Sequence, residues 1–166
     1  MKHSIKVVLF LGIVAIFFNS CVNKIQYSEI PYIEFVSFSV VKAHNDTDSL
    51  GYVTISYTDG DGDLGFLSTD TNNLTYDFFI KLFQLKNGND VELLPPDSTF
   101  TLNARLPYLT PEGDNKNIKG EITMLLELYY ITPVLISDTV AFEIFITDRA
   151  HNQSNVVKSP YYVLAR

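Results

Sequence analysis

After residue 31, apolar and polar positions alternate with a period of two along most of the chain, the repeat expected of strands that bury one face. The pattern predicts a first strand through Ile33, Phe35 and residues 36–41, and a second over residues 52–57. A third runs over residues 76–83, where Tyr76, Phe78, Ile80 and Leu82 alternate with Asp77, Phe79, Lys81 and Phe83. Asn87, Gly88 and Asn89 then supply a turn. A short return strand over residues 91–94 is stopped by Pro95 and Pro96. Further strands are expected over residues 99–106, 118–130, 140–147 and 156–164, with Pro107, Pro111 and the run GDNKN marking the loop before residue 118. No window carries a helical stripe, so no helix is predicted.

Seven or eight short strands separated by turn signals predict an all-β chain: an immunoglobulin-like antiparallel β-sandwich over residues 32–166, preferred on strand count to a closed barrel. Val53, Ile55, Phe78, Ile80, Met124, Leu126, Phe142 and Ile144 are the expected core.

Composition supports a folded domain. Hydrophobic residues make up 46% of the 166 and aromatics 13%, all Phe and Tyr. The net charge of -7 argues against a nucleic-acid partner, which requires basic patches. A single cysteine excludes an internal disulfide.

The N-terminus departs from the strand pattern. Lys2, His3 and Lys6 precede VVLFLGIVAIFF, an uncharged run with the length of a signal-peptide core and too short to span a bilayer comfortably. Asn19, Ser20 and Cys21 follow, with the chain's one cysteine at the boundary. A small residue before a cysteine at this place resembles a lipobox. The resemblance implies cleavage before Cys21 and lipid on that residue, with residues 1–20 as signal peptide and residues 21–31 as lipidated cysteine and polar tether. Phe18 and Asn19 depart from the usual Leu and Ala or Ser. Cleavage would remove Lys2 and Lys6 and no acid, taking the net charge from -7 to -9. Several acyl chains anchor firmly where one is marginal.

SYTDGDGDLGF, residues 56–66, carries the candidate chemistry. Asp59, Asp61 and Asp63 alternate with Gly60 and Gly62, and Gly65 follows. Carboxylates on alternate residues of a tight loop can turn inward together, and calcium takes six to eight oxygens. The spacing is that of an EF-hand's opening, but Leu64 and Asp70 stand at the sixth and twelfth positions, so the loop is not an EF-hand. The plain alternative is an acidic turn whose Asp side chains cap the backbone. A second string, FITDRAHNQSN, covers residues 145–155. If the strand over residues 50–58 is B and that over 140–147 is F, the B–C and F–G loops share one end of the sandwich. Asp148 and Asn152 would then join Asp59, Asp61 and Asp63 around a structural calcium ion.

With the Gly120-Glu121-Ile122 strand, these strings resemble a group of uncharacterised lipoproteins of Bacteroidetes-type bacteria. That group has a lipobox cysteine, a DGDGDLG-like loop and an I-x-D-R-A-x-N-x-S-N segment, here residues 146–155. The resemblance covers most of residues 21–166. It implies an immunoglobulin-like fold and a lipid-anchored outer-membrane address, and carries no activity. His151 stands where the pattern often has Gly, which argues against a positive-φ requirement at that turn. In such bacteria acids just after the cysteine accompany surface display; residues 22–26 have none, which tilts the expectation toward the periplasmic face and leaves both open. The group's Asp-Ser/Thr-apolar glycosylation pattern occurs at Asp48-Ser49-Leu50 and Asp138-Thr139-Val140, and loosely at Asp97-Ser98-Thr99, as short motifs do by chance.

Catalytic constellations are scarce. His44 and His151 lie in turn-like surroundings outside any metal motif, and no nucleophile elbow, phosphate loop or dinucleotide fingerprint occurs. The sequence therefore points to a membrane-tethered, non-catalytic binding or structural module that contacts an envelope protein or glycan. A hydrolase of envelope or dietary polysaccharide is the alternative, because a glycosidase carboxylate pair is set by space and not by sequence.

Overall fold

The computed structural model describes residues 25–69, 76–94 and 101–166. The expected signal segment, Cys21, Asp70 and the Asp97-Ser98-Thr99 motif lie outside the described residues.

Among the described residues, eight strands form two antiparallel sheets. β1 is Tyr32–Lys42, β2 Asp48–Asp59, β3 Phe78–Lys86, β4 Asn89–Glu92, β5 Ile118–Leu126, β6 Thr139–Ile146, β7 Val157–Lys158 and β8 Tyr162–Val163. One sheet has the order β1-β2-β5; the other has the order β4-β3-β6-β7, with β8 also on β6. In immunoglobulin lettering this is A-B-E facing C′-C-F-G. The chain is an all-β sandwich of the immunoglobulin-like kind, as the alternation predicts.

Inward residues of β2, β3 and β6 supply much of the core: Val53 and Ile55, then Phe78, Ile80 and Leu82, then Phe142, Ile144 and Ile146. Met124 is the exception among the expected core residues. It is only half-buried, because β5 is the edge strand of its sheet. Outer faces are paired as well. Phe79 and Phe145 stand opposite each other on β3 and β6 and stack with centroids 4.6 Å apart.

Several predicted elements differ from those found. The return strand begins at Asn89 because Asn87 and Gly88, at φ +52° and +79°, make a tight two-residue hairpin turn. The strand expected to run to residue 130 stops at Leu126. One helical turn, α1 (Leu128–Ile131), follows and continues into a 3-10 turn, Thr132–Val134. Leu128 and Ile131, three apart, both enter the core there, so burial selects helical spacing where the sequence also allowed alternation. Of the expected strand 99–106, the described part is a strap that side chains pin in place. Ala104 makes one bridge to Phe78, Asn103 Oδ1 accepts the Ile80 N–H, and Asp77 Oδ1 accepts the Leu106 N–H at 2.6 Å. The last strand is split into β7 and β8 around Pro160, and Ser159 Oγ accepts the Phe142 N–H within the gap.

Asp48 and Thr139 of the two described glycosylation motifs are strand residues. Asp48 is buried, and its Oδ2 accepts the Ala165 N–H at 2.8 Å, which fastens the C-terminal segment.

Candidate metal centre

Two strands from opposite sheets each extend their inward row by one carboxylate. Val53 and Ile55 point into the core from β2, and the same parity brings Asp59, fully buried, to the strand's end. On β6, Ile144 and Ile146 point inward, and Asp148, 1% exposed, continues the row just past the strand. The B–C and F–G loops thus meet at one end of the sandwich.

Beyond Asp59 the chain folds into a tight loop. Asp59 Oδ2 accepts the Asp63 N–H at 3.1 Å, closing the turn. Its glycines serve different ends. Gly62 and Gly65 take φ of +64° and +75°, the conformation that favours Gly. Gly60 does not, and is required by space: a Cβ there would lie 2.5 Å from the Tyr27 carbonyl oxygen. At Gly65 a Cβ would overlap the Pro107 carbonyl.

One oxygen from each of Asp59, Asp61 and Asp63 lies within 4.8 Å of the others. Two oxygens on opposite sides of a calcium ion at 2.3–2.6 Å would be separated by about that distance. The Oδ1 atoms of all three residues are buried and have no hydrogen-bond partner among the described residues. Burial foremost, then the charge of Asp61, pushes the Asp59 carboxyl up to about 6. Asp63 is also raised, by burial first and then by Asp148 and Asp61. The donors are all carboxylate oxygens, which suit a hard divalent cation, and no Cys or His belongs to the cluster.

Asp148 stands close enough to raise both Asp59 and Asp63. Its own oxygens are engaged by Asn152, whose N–H donates to Oδ1 at 2.7 Å and whose Nδ2 donates to Oδ2 at 2.8 Å. Asp148 and Asn152 therefore hold one another next to the cluster, and the close group of three is Asp59, Asp61 and Asp63. His151 takes φ +66°, so this turn does adopt the left-handed conformation despite lacking Gly.

The residues that fasten the loops were not evident in the sequence. The Arg149 guanidinium donates to the carbonyls of Leu64 at 3.1 Å and Gly65 at 2.7 Å and to Thr110 Oγ1 at 2.5 Å, and lies 4.8 Å from the Tyr108 ring centroid. Asn155 reads β1 as a strand would, accepting the Ile33 N–H and donating to the Ile33 carbonyl. The one available signal was Arg149 itself, a cation set beside Asp148 in a turn facing acids.

Comparison with protein-family models, with curated proteins and with solved structures finds no match to this chain.

Proposed function

We propose that the chain is an exported lipoprotein, anchored to the outer membrane through lipid on Cys21. Its sandwich is a non-catalytic binding or structural module for an envelope protein or glycan. A calcium ion held by Asp59, Asp61 and Asp63, with Asp148 and Asn152 behind them, stabilises the loops at one end. The observation that carries the calcium reading is the set of three buried Oδ1 atoms without a hydrogen-bond partner among the described residues. Buried polar atoms are nearly always satisfied, and three ionised carboxylates this close repel one another. A divalent cation answers both conditions. The basic start, short apolar run and boundary cysteine support the anchor.

Thermal unfolding tests the calcium reading. For an affinity near 0.1 mM, about 1 mM calcium stabilises by ~1.4 kcal/mol, a rise of roughly 3–8 °C in Tm. Asp61→Asn should abolish the rise. An unchanged Tm in calcium and in chelator for the wild type rejects the site, and a rise that persists in Asp61→Asn puts the ion elsewhere.

A further inference from the structure

Residues 26–28, in the described stretch nearest Cys21 in sequence, rest directly on the acidic loop. The Tyr27 N–H donates to Asn117 Oδ1 at 2.7 Å, and Asn117 Nδ2 reaches Gln26 Oε1 at 3.4 Å and Asn115 Oδ1 at 3.0 Å. On the other side is Gly60, between Asp59 and Asp61. A Cβ at Gly60 would lie 2.5 Å from the Tyr27 carbonyl oxygen and 2.8 Å from the Ser28 carbonyl. Residues 26–28 are thus held between Asn117 and the backbone of the loop that bears the carboxylates. Tyr27 lies only six residues after Cys21.

We infer that calcium at Asp59, Asp61 and Asp63 acts as a latch on this anchor-side segment, fixing residues 25–31 to the domain when bound and loosening them when removed. This rests on the calcium reading above. Its own support is the packing of the Tyr27 and Ser28 carbonyls against Gly60, which stands between two of the carboxylates, one of them, Asp59, fully buried. The Asp59 backbone is held by its pairing with Ile118 across β2 and β5, and its Oδ2 accepts the Asp63 N–H, so its carboxylate is kept inside the turn. Without an ion the repulsion bears on the loop that follows, whose first residue is Gly60. When that loop spreads, the close approach of Gly60 to the Tyr27 and Ser28 carbonyls is lost. When an ion draws the carboxylates together, the approach is restored. Binding at coupled sites is reciprocal, so loosening the segment must weaken calcium binding by the factor with which calcium tightens the segment.

The test uses the full chain, purified from membranes in detergent, with calcium as the probe. Calorimetric titration gives the affinity, and hydrogen exchange of a peptide covering residues 25–31 reports the hold. Saturating calcium should slow that exchange at least about fivefold relative to chelator, the lower end of usual coupling. Asp61→Asn should remove the effect. Asn117→Ala and Gly60→Ala, which disturb the segment from opposite sides, should each weaken calcium binding by a similar factor. Two variants guard against one that simply misfolds, and circular dichroism checks both. Calcium binding with unchanged exchange, or wild-type affinity in both folded variants, overturns the latch while leaving the ion site standing. Absence of calcium binding to the wild type at millimolar concentration overturns both.

Discussion

Ala150 and Asp63 lie on different loops, yet the Ala150 N–H donates to Asp63 Oδ2 at 3.1 Å while the neighbouring Arg149 N–H donates to the Asp63 carbonyl at 3.2 Å. The F–G loop therefore grips one residue of the B–C loop through both its side chain and its backbone. The two loops are built as one unit, with the Arg149 side chain extending the grip to Leu64, Gly65 and Thr110.

Arg149 should accordingly be a large contributor to stability. Its fork serves three acceptors at once, and the Leu64 side chain beside it is fully buried. Arg149→Ala should cost about 2–4 kcal/mol, and Arg149→Lys should recover less than half, because a lysine ammonium cannot reproduce the planar fork. Urea unfolding of the three proteins measures this. A lysine variant as stable as wild type would show that charge alone suffices.

Asp77 should make stability fall as pH rises. It is 1% exposed, and burial pushes its carboxyl up to about 6 although the Leu106 N–H donates to it. The folded state therefore holds this proton more tightly than the unfolded chain does. The resulting stabilisation is complete below the unfolded pKa of about 4 and is lost as pH rises through about 6, an effect on the order of 1–3 kcal/mol. Asp77→Asn keeps an acceptor for Leu106 and has no proton to lose. It should match wild type at pH 4 and exceed it at pH 7, as read by Tm. The opposite order at pH 7 would mean that the ionised carboxylate is stabilising.

His151 should be improved by glycine. At φ +66° a side chain costs roughly 1–2 kcal/mol, against the 0.5–1 kcal/mol that glycine forfeits in chain entropy. His151→Gly should therefore raise stability by about 0.5 kcal/mol, measured by denaturant midpoint. A loss would show that the imidazole makes a compensating contact.

Cys21 carries the anchor in the proposed reading. Full-length protein expressed in a bacterium with a fatty-acid analogue should take up label, and Cys21→Ala should take up none. Equal labelling of the two would remove the lipid anchor.

The legible parts of the fold are those where one physical cause acts over a long stretch. On β2, β3 and β6 the buried face dictates every second residue, and the register follows. Legibility fails where a side chain substitutes for backbone pairing. Asp77 and Asn103 hold the 101–106 strap, and Ser159 fills a break in the last strand. It fails again at Leu128 and Ile131, whose apolar spacing fits a helix as well as a strand. At the acidic loop, the three aspartates are local in sequence and could be grouped on spacing alone. The residues that hold their surroundings could not: Asn117 acts on Tyr27 across 90 residues, and Arg149 on Leu64 across 85.

The Asp48 clamp has a geometric consequence. It fastens Ala165 at the start of β2, whereas Asn117 fastens Tyr27 beside the end of that strand. The twelve residues of β2 span about 36 Å, so Tyr27 and Ala165 are held at opposite poles of the sandwich. Cargo fused after Arg166 would be displayed at the pole opposite Tyr27.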